Sequence, residues 1–576
     1  MIDHRVASTT IAAAAAVLTL PFAAAAQFRR PPPTPAYALE NTTVVHADGR
    51  REAGVTIVIR GKLIEAMGPG VTVPPDAKIL EGDSLYVYPG FVDAHGTAEL
   101  NFPEIEAGDD VRSWNGPRDL QGFLAHRRVA DHLSQSGNDG KEQRAQGIVA
   151  AGIWPDGGLA AGLGAGIVYR TDVARPWDLV ANENTGLAMA FKGGRGVYPG
   201  TLFGVIAYMR QAFEDARRDG LILAAYNDDP SGLGGPGVDP DYAVLRSAMD
   251  GEFPVYFAAN GAEDIRRVLQ LAEEYGFRPV IVGGQEAWRV SDELARRNIP
   301  VLIDGDFPQP DKWKSKEGEE EEEDPETEGT PEQPVAAAAP IEPDTLEPEM
   351  LEPAAAREKE RIENVRANAA RLDSAGVTFA ITSGGGDASL LEAARISVEY
   401  GLPEDAALRA ITSTPAMMLG MPHVTQIGQG MAATFVVMTG PIFDDGSEVA
   451  HTFVEGGYTE GAGSGGGGEA PAVNVTGDWA WTLSTGGEEF AMEASLKMDD
   501  DGSVSGTVTN DMFGSAPIRG RVSGSRLTFT IAISFGGQSM ELTGEGTVEG
   551  DRLSGSGDGP FGAFSLSGKK SPGGAR

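Results

Sequence analysis

A chain with seven His and no Cys has only imidazole, carboxylate, hydroxyl and amine groups with which to do chemistry. Thiolate ligands, thiol nucleophiles and disulfides are excluded together. The most informative run is Tyr88-Pro89-Gly90-Phe91-Val92-Asp93-Ala94-His95-Gly96-Thr97, a short apolar strand that delivers His95 to its C-terminal end. In a parallel barrel that end faces the active site. His126 and His132 stand six apart, a poor spacing for one helix face, and are expected as helix-surface side chains. Thr382 and Ser383 end an apolar run, but no His is placed in sequence to activate their hydroxyls, so they are expected to line the mouth. The run Gly157 to Gly166 lacks the Gly spacing and the Lys-Ser/Thr ending of a phosphate-binding loop.

Residues 36–87 carry short β-type runs such as Val55-Thr56-Ile57-Val58-Ile59 and predict a small antiparallel sheet. From 88 to 420, strand-length apolar runs alternate with helix-length amphipathic ones, as in Pro254–Ala258, Ala262–Tyr275 and Pro279–Val282. That alternation predicts parallel βα units, and its length suits a (β/α)8 TIM-like barrel, with a doubly wound open sheet as the alternative. Residues 421–458 return to strand character and are expected to complete the first sheet as a composite β-sandwich. Beyond a Gly/Ser linker at 459–472, residues 473–570 are short alternating runs with Gly turns, which predict an antiparallel β-barrel or sandwich domain.

Residues 1–26 combine a short polar start containing His4 and Arg5, an apolar run and small residues at Ala24 and Ala26, the pattern of a signal peptide cleaved near Ala26; a Pro-rich spacer follows at 27–35. Export to a periplasmic or extracellular space is expected, with no transmembrane span. Residues 317–353 hold fifteen acidic residues, seven Pro and no Lys or Arg, so 314–356 is expected as a disordered acidic insertion in the barrel. The formal charge of −38 repels phosphate backbones and argues against nucleic-acid partners.

The first-strand run, the segment Ala407–Gly420 and the returning strand Ile427–Val437 together resemble the amidohydrolase superfamily, in its imidazolonepropionase-like and dipeptidase-like branches. The resemblance spans about residues 36–455. It implies hydrolysis of C–N bonds by a metal-activated water, with zinc as the cofactor; the residues themselves imply none. It also assigns ligand positions, and most of them are substituted here. His95 matches the first-strand ligand, but Thr97 stands where a second His belongs. Lys192 is the one residue found for the fourth strand. Ala258, Gly283 and Gly384 occupy the positions of the fifth-strand His, the sixth-strand His and the eighth-strand Asp. Four of these five strand ends therefore lack the family's residue, and one imidazole cannot hold a catalytic zinc that normally takes three protein ligands. Asp228, Asp229 and Glu286 remain as displaced carboxylates.

The expected function is that of a secreted pseudoenzyme binding a small molecule or peptide in the barrel mouth, or partnering an active amidohydrolase relative. The alternatives are a working C–N hydrolase with a reduced metal site around His95, and ligand or surface binding through the C-terminal β-domain.

Overall fold

The computed structural model describes residues 36–80, 85–103, 105, 111–136, 139–194, 196–232, 234–308, 348–386, 388–444, 446–461, 463, 472–485, 488–498, 502–510, 514–535, 538–558 and 564–570. The segment expected as a signal peptide, the Pro-rich spacer, most of the acidic insertion and most of the Gly/Ser linker lie outside these residues.

The first sheet is built from both flanks of the barrel: β1 (Ala36–Val45), β2 (Arg51–Arg60), β3 (Leu63–Gly68), β4 (Lys78–Leu80) and β5 (Tyr86–Pro89) come before it. The barrel strands are β6 (Phe91–Asp93), β7 (Ile148–Ile153), β8 (Ala160–Val168), β9 (Val180–Ala190), β10 (Val255–Ala259), β11 (Pro279–Gly283), β12 (Val301–Asp304) and β13 (Phe379–Thr382). The chain then returns through β14 (Phe435–Met438), β15 (Val449–Val454) and β16 (Gly457–Glu460). In the flanking sheet the order is β16-β15-β14-β5-β1-β2-β3, with β14 antiparallel to β5. The sheet is mixed rather than antiparallel throughout, because β4 and β5 both run parallel to β1.

The barrel sheet runs β6 to β13 in sequence order. From β9 onward every pair is parallel, as the βα alternation predicts. The amphipathic helix Ala262–Tyr275 shows the logic: Ile265, Val268, Leu269 and Ala272 recur at helical spacing and are buried against the sheet. It stops at Gly276, whose φ of +84° is the left-handed C-terminal cap that glycine adopts without strain. The second to fourth strands depart from the expectation, since β8 is antiparallel to both β7 and β9. Residues 154–159 are too few for the crossover that parallel strands require, so the chain can only turn back. Here the glycines of the Gly157–Gly166 run form a turn and a strand. A Cβ on Gly164 would stand 2.4 Å from the Trp154 ring, and one on Gly162 would stand 2.6 Å from the Arg127 carbonyl. Close packing, not anion binding, demands those glycines.

The eight strands of the C-terminal domain, from Gly477–Thr485 to Phe564–Lys570, form a closed antiparallel barrel. Its interior is filled by rings lying over glycines. Trp481, Phe529 and Phe564 are paired directly across the ladder with Gly568, Gly544 and Gly557, whose missing side chains leave room for the rings. Trp481 also meets Phe529 from the opposite wall, with centroids 5.2 Å apart. Eight-stranded barrels are just wide enough for side chains to fill in this way.

His451 on β15 is buried at 8 % exposure, with the Tyr458 hydroxyl 3.2 Å from its Nδ1. Burial pushes its pKa down to about 4, with Glu460 opposing and Lys78 reinforcing the shift. The unfolded chain binds the proton near pH 6.5, so between that value and about 4 it takes up more protons than the folded one. Stability should therefore fall by on the order of 2–3 kcal/mol as pH drops through this window. His451→Gln should flatten that slope, as read by urea unfolding at a series of pH values.

Candidate functional site

His95 follows β6 directly, and its place is set by the buried carboxylate two residues earlier. Asp93 is 2 % exposed and accepts hydrogen bonds from the His95 backbone N–H (3.0 Å) and the Ser383 N–H (3.2 and 3.3 Å to its two oxygens). The Ser383 hydroxyl and the Gly385 N–H in turn donate to the His95 carbonyl, at 3.1 and 2.7 Å. This clamp ties the first barrel strand to the loop after the eighth. Burial pushes the Asp93 carboxyl above its ordinary range, while the Ser383 and His95 donors pull it back. The His95 imidazole is pushed down by burial and held up by the charges of Asp93, Asp304 and Asp156. A Cβ on Gly385, whose φ is +74°, would stand 3.1 Å from His95 Nε2, so the ring is covered by the turn after β13.

The remaining predicted positions are not brought together around that ring. Thr97 is exposed, and its carbonyl accepts from the Tyr169 hydroxyl at 3.0 Å. Lys192 is exposed just beyond β9 and shares no hydrogen bond or ion pair with a described residue. Ala258 is exposed on β10. At Gly283 a Cβ would stand 2.1 Å from Asn260 Oδ1, and at Gly384 one would stand 2.2 Å from Asp304 Oδ1. Both glycines have positive φ, +91° and +72°, so the backbone as well as the space disfavours a side chain there. Asn260 and Asp304, at neighbouring strand ends, thus fill the space beside these two glycines. Asp304 Oδ1 also accepts from the Asp306 N–H at 3.1 Å.

The displaced candidates have other work. Glu286 Oε2 accepts from the Ala262 N–H at 3.0 Å and caps the helix Ala262–Tyr275. Asp228 ends the helix Leu202–Asp228, and Asp229 turns back to accept from the Ser231 N–H at 3.0 Å. The hydroxyl of Thr382 is spent on the Ile303 carbonyl (3.1 Å), so it and Ser383 brace the mouth. His126 corrects the helix-surface expectation: it lies in a loop, with Nδ1 2.7 Å from Asp241 of the helix Pro240–Met249. The ring of His132 packs on Phe102 at 4.6 Å between centroids. Below the mouth, Trp154 lies 4.1 Å from Tyr256 and donates to the Ala94 carbonyl at 2.9 Å. Asp156 and Asp304 were missed from the sequence. Asp304 could have been found, because it closes the strand run Val301-Leu302-Ile303 at the catalytic end of a barrel strand. Among the described residues, no three His, Asp or Glu side chains come together as a metal-holding group.

No protein-family profile matches the chain. It is similar to the dihydroorotase of Anaeromyxobacter dehalogenans (strain 2CP-C), 27 % identical over 273 residues, which are 46 % of this chain and 58 % of that protein. The dihydroorotase of Pelobacter propionicus (strain DSM 2379 / NBRC 103807 / OttBd1) is 22 % identical over 285 residues, 45 % of this chain and 63 % of the relative. The matched region thus spans about three fifths of the length of these curated relatives. Among solved structures, an amidohydrolase from Thermotoga maritima MSB8 superposes with a TM-score of 0.54 at 21 % identity, covering 73 % of this chain and 99 % of that one. The flanking sheet and the barrel thus share the fold of that amidohydrolase.

Proposed function

We propose that this protein is an exported binding protein built on an amidohydrolase barrel, which holds a small molecule or peptide at the mouth and does not hydrolyse it. One observation carries the reading: Asp304 and Asn260 stand within 2.2 and 2.1 Å of where Gly384 and Gly283 would project ligand side chains. The donor set that remains does not suit the zinc of the superfamily. His95 is a single imidazole, Asp93 spends its oxygens on backbone N–H groups, and Ala258 and Thr97 offer no strong donor of their own. What the mouth presents instead is a half-buried, weakly basic imidazole under the electrostatic influence of the Asp304 and Asp156 carboxylates, with the Asn260 amide next to Gly283. Such a lining can orient a polar ligand by hydrogen bonds and favours a neutral or cationic group over an anion. A second reading, a C–N hydrolase with a reduced site, is favoured by the same two carboxylates, which face one imidazole as general acid–base machinery does. The C-terminal barrel gives less support to a ligand cavity, because Trp481 and Phe529 meet across it.

The two barrel readings part on turnover. With zinc supplied, dihydroorotate and a panel of dipeptides should show no hydrolysis above that of the His95→Ala variant, while at least one compound raises the melting temperature. Hydrolysis that His95→Ala abolishes would overturn the proposal. The steric claim has its own test. Gly384→Asp should destabilise the protein by about 2–4 kcal/mol, from crowding against Asp304 and strain at positive φ. Adding Asp304→Ala should recover about 1 kcal/mol or more beyond additivity in urea unfolding. Strict additivity would mean that Asp304 does not hold the vacated place.

A further inference from the structure

The helix Leu202–Asp228 outruns the molecule that supports it. Its buried residues, Val205, Met209, Ala212, Phe213 and Ala216 among them, end at Ala216. Residues 217–228 continue for about 18 Å beyond that point. One side of this extension is covered: Asp219 pairs with Arg246 of the helix Pro240–Met249, and the Tyr226 hydroxyl approaches Gly235 of the returning loop at 3.7 Å from its notional Cβ. The opposite side is open. Leu221 is 73 % and Ile222 44 % exposed, and Arg218, Ala224, Ala225 and Asp228 are exposed with them. Leu221, Ala224, Ala225 and Asp228 have the spacing i, i+3, i+4, i+7 of one helix face. A helix face of this kind ordinarily draws its stability from what it packs against.

We infer that this face docks a second copy of the same chain, as an antiparallel helix pair about a two-fold axis level with Leu223. Charge and size both select that occupant. Arg217 and Arg218 precede the apolar stretch, and Asp228 and Asp229 follow it. In the antiparallel register centred at 223, Arg218 stands opposite the partner's Asp228, and the reciprocal pair forms at the other end. Neither Arg218 nor Asp228 makes an ion pair with a described residue within its own chain. The same register sets Leu221 against the partner's Ala225, a large side chain against a small one, and repeats this by symmetry. A single patch that is complementary to itself is what a two-fold interface requires. The net charge of −38 would otherwise keep two copies apart, so a local alternation of sign is the feature that permits contact.

Sedimentation equilibrium of the full chain, from about 1 to 100 µM, should show a monomer–dimer equilibrium. Arg218→Asp or Asp228→Arg alone should weaken the dimer by about tenfold or more, by placing like charges across the axis. The double variant Arg218→Asp/Asp228→Arg should restore it. Circular dichroism checks that each variant folds, which these exposed positions permit. A monomer throughout the range, a dimer that Leu221→Asp leaves intact, or a double variant that fails to restore association would each overturn the inference.

Discussion

The barrel depends on one buried carboxylate. Asp93 sits at the end of the first strand with two backbone N–H groups aimed at it, and through them it fixes both the His95 backbone and the loop after the eighth strand. Among the described residues β6 and β13 are not joined by a ladder, and the Val92 N–H goes instead to the Ile411 carbonyl. The clamp therefore does what strand pairing would do at this seam. Burying a carboxylate is costly unless its lone pairs are satisfied, and here backbone donors satisfy them. The same bonds leave Asp93 little capacity to act on anything in the mouth. It is a fastener for the backbone that carries the half-buried His95 ring.

At two of the positions that the resemblance assigns to ligands, the packing has a local physical cause. Glycine at 283 and 384 permits positive φ and leaves space that the neighbouring strand's Asn260 and Asp304 then occupy. A side chain at either glycine would meet a filled space. The composite sheet closes the fold on the other side, with β5 and β14 pairing across the whole length of the barrel sequence. Function in such a fold belongs to the site and not to the scaffold.

Much of the architecture was legible in the sequence because it is written in local periodicity. The alternating runs from Val255 to Ile381 folded as parallel βα units, and the Gly-punctuated runs after residue 473 closed into a barrel. His95 was legible because a strand delivers it to the catalytic end. What escaped was set by contacts between distant segments. The antiparallel β8 follows from a connection too short to cross over, which a count of strands does not reveal. His126 binds Asp241, 115 residues away, and so leaves the helix expected of it. Asp304 becomes part of the mouth only because Gly384 makes room for it, a pairing that neither residue announces alone.

Metal stoichiometry decides the proposal that the mouth holds no catalytic metal. The full chain is purified without chelator, equilibrated with Zn2+, freed of excess ion and analysed by elemental mass spectrometry beside His95→Ala. No zinc above background is expected in either protein. One tightly held ion per chain that disappears in His95→Ala would contradict it and restore the hydrolase reading.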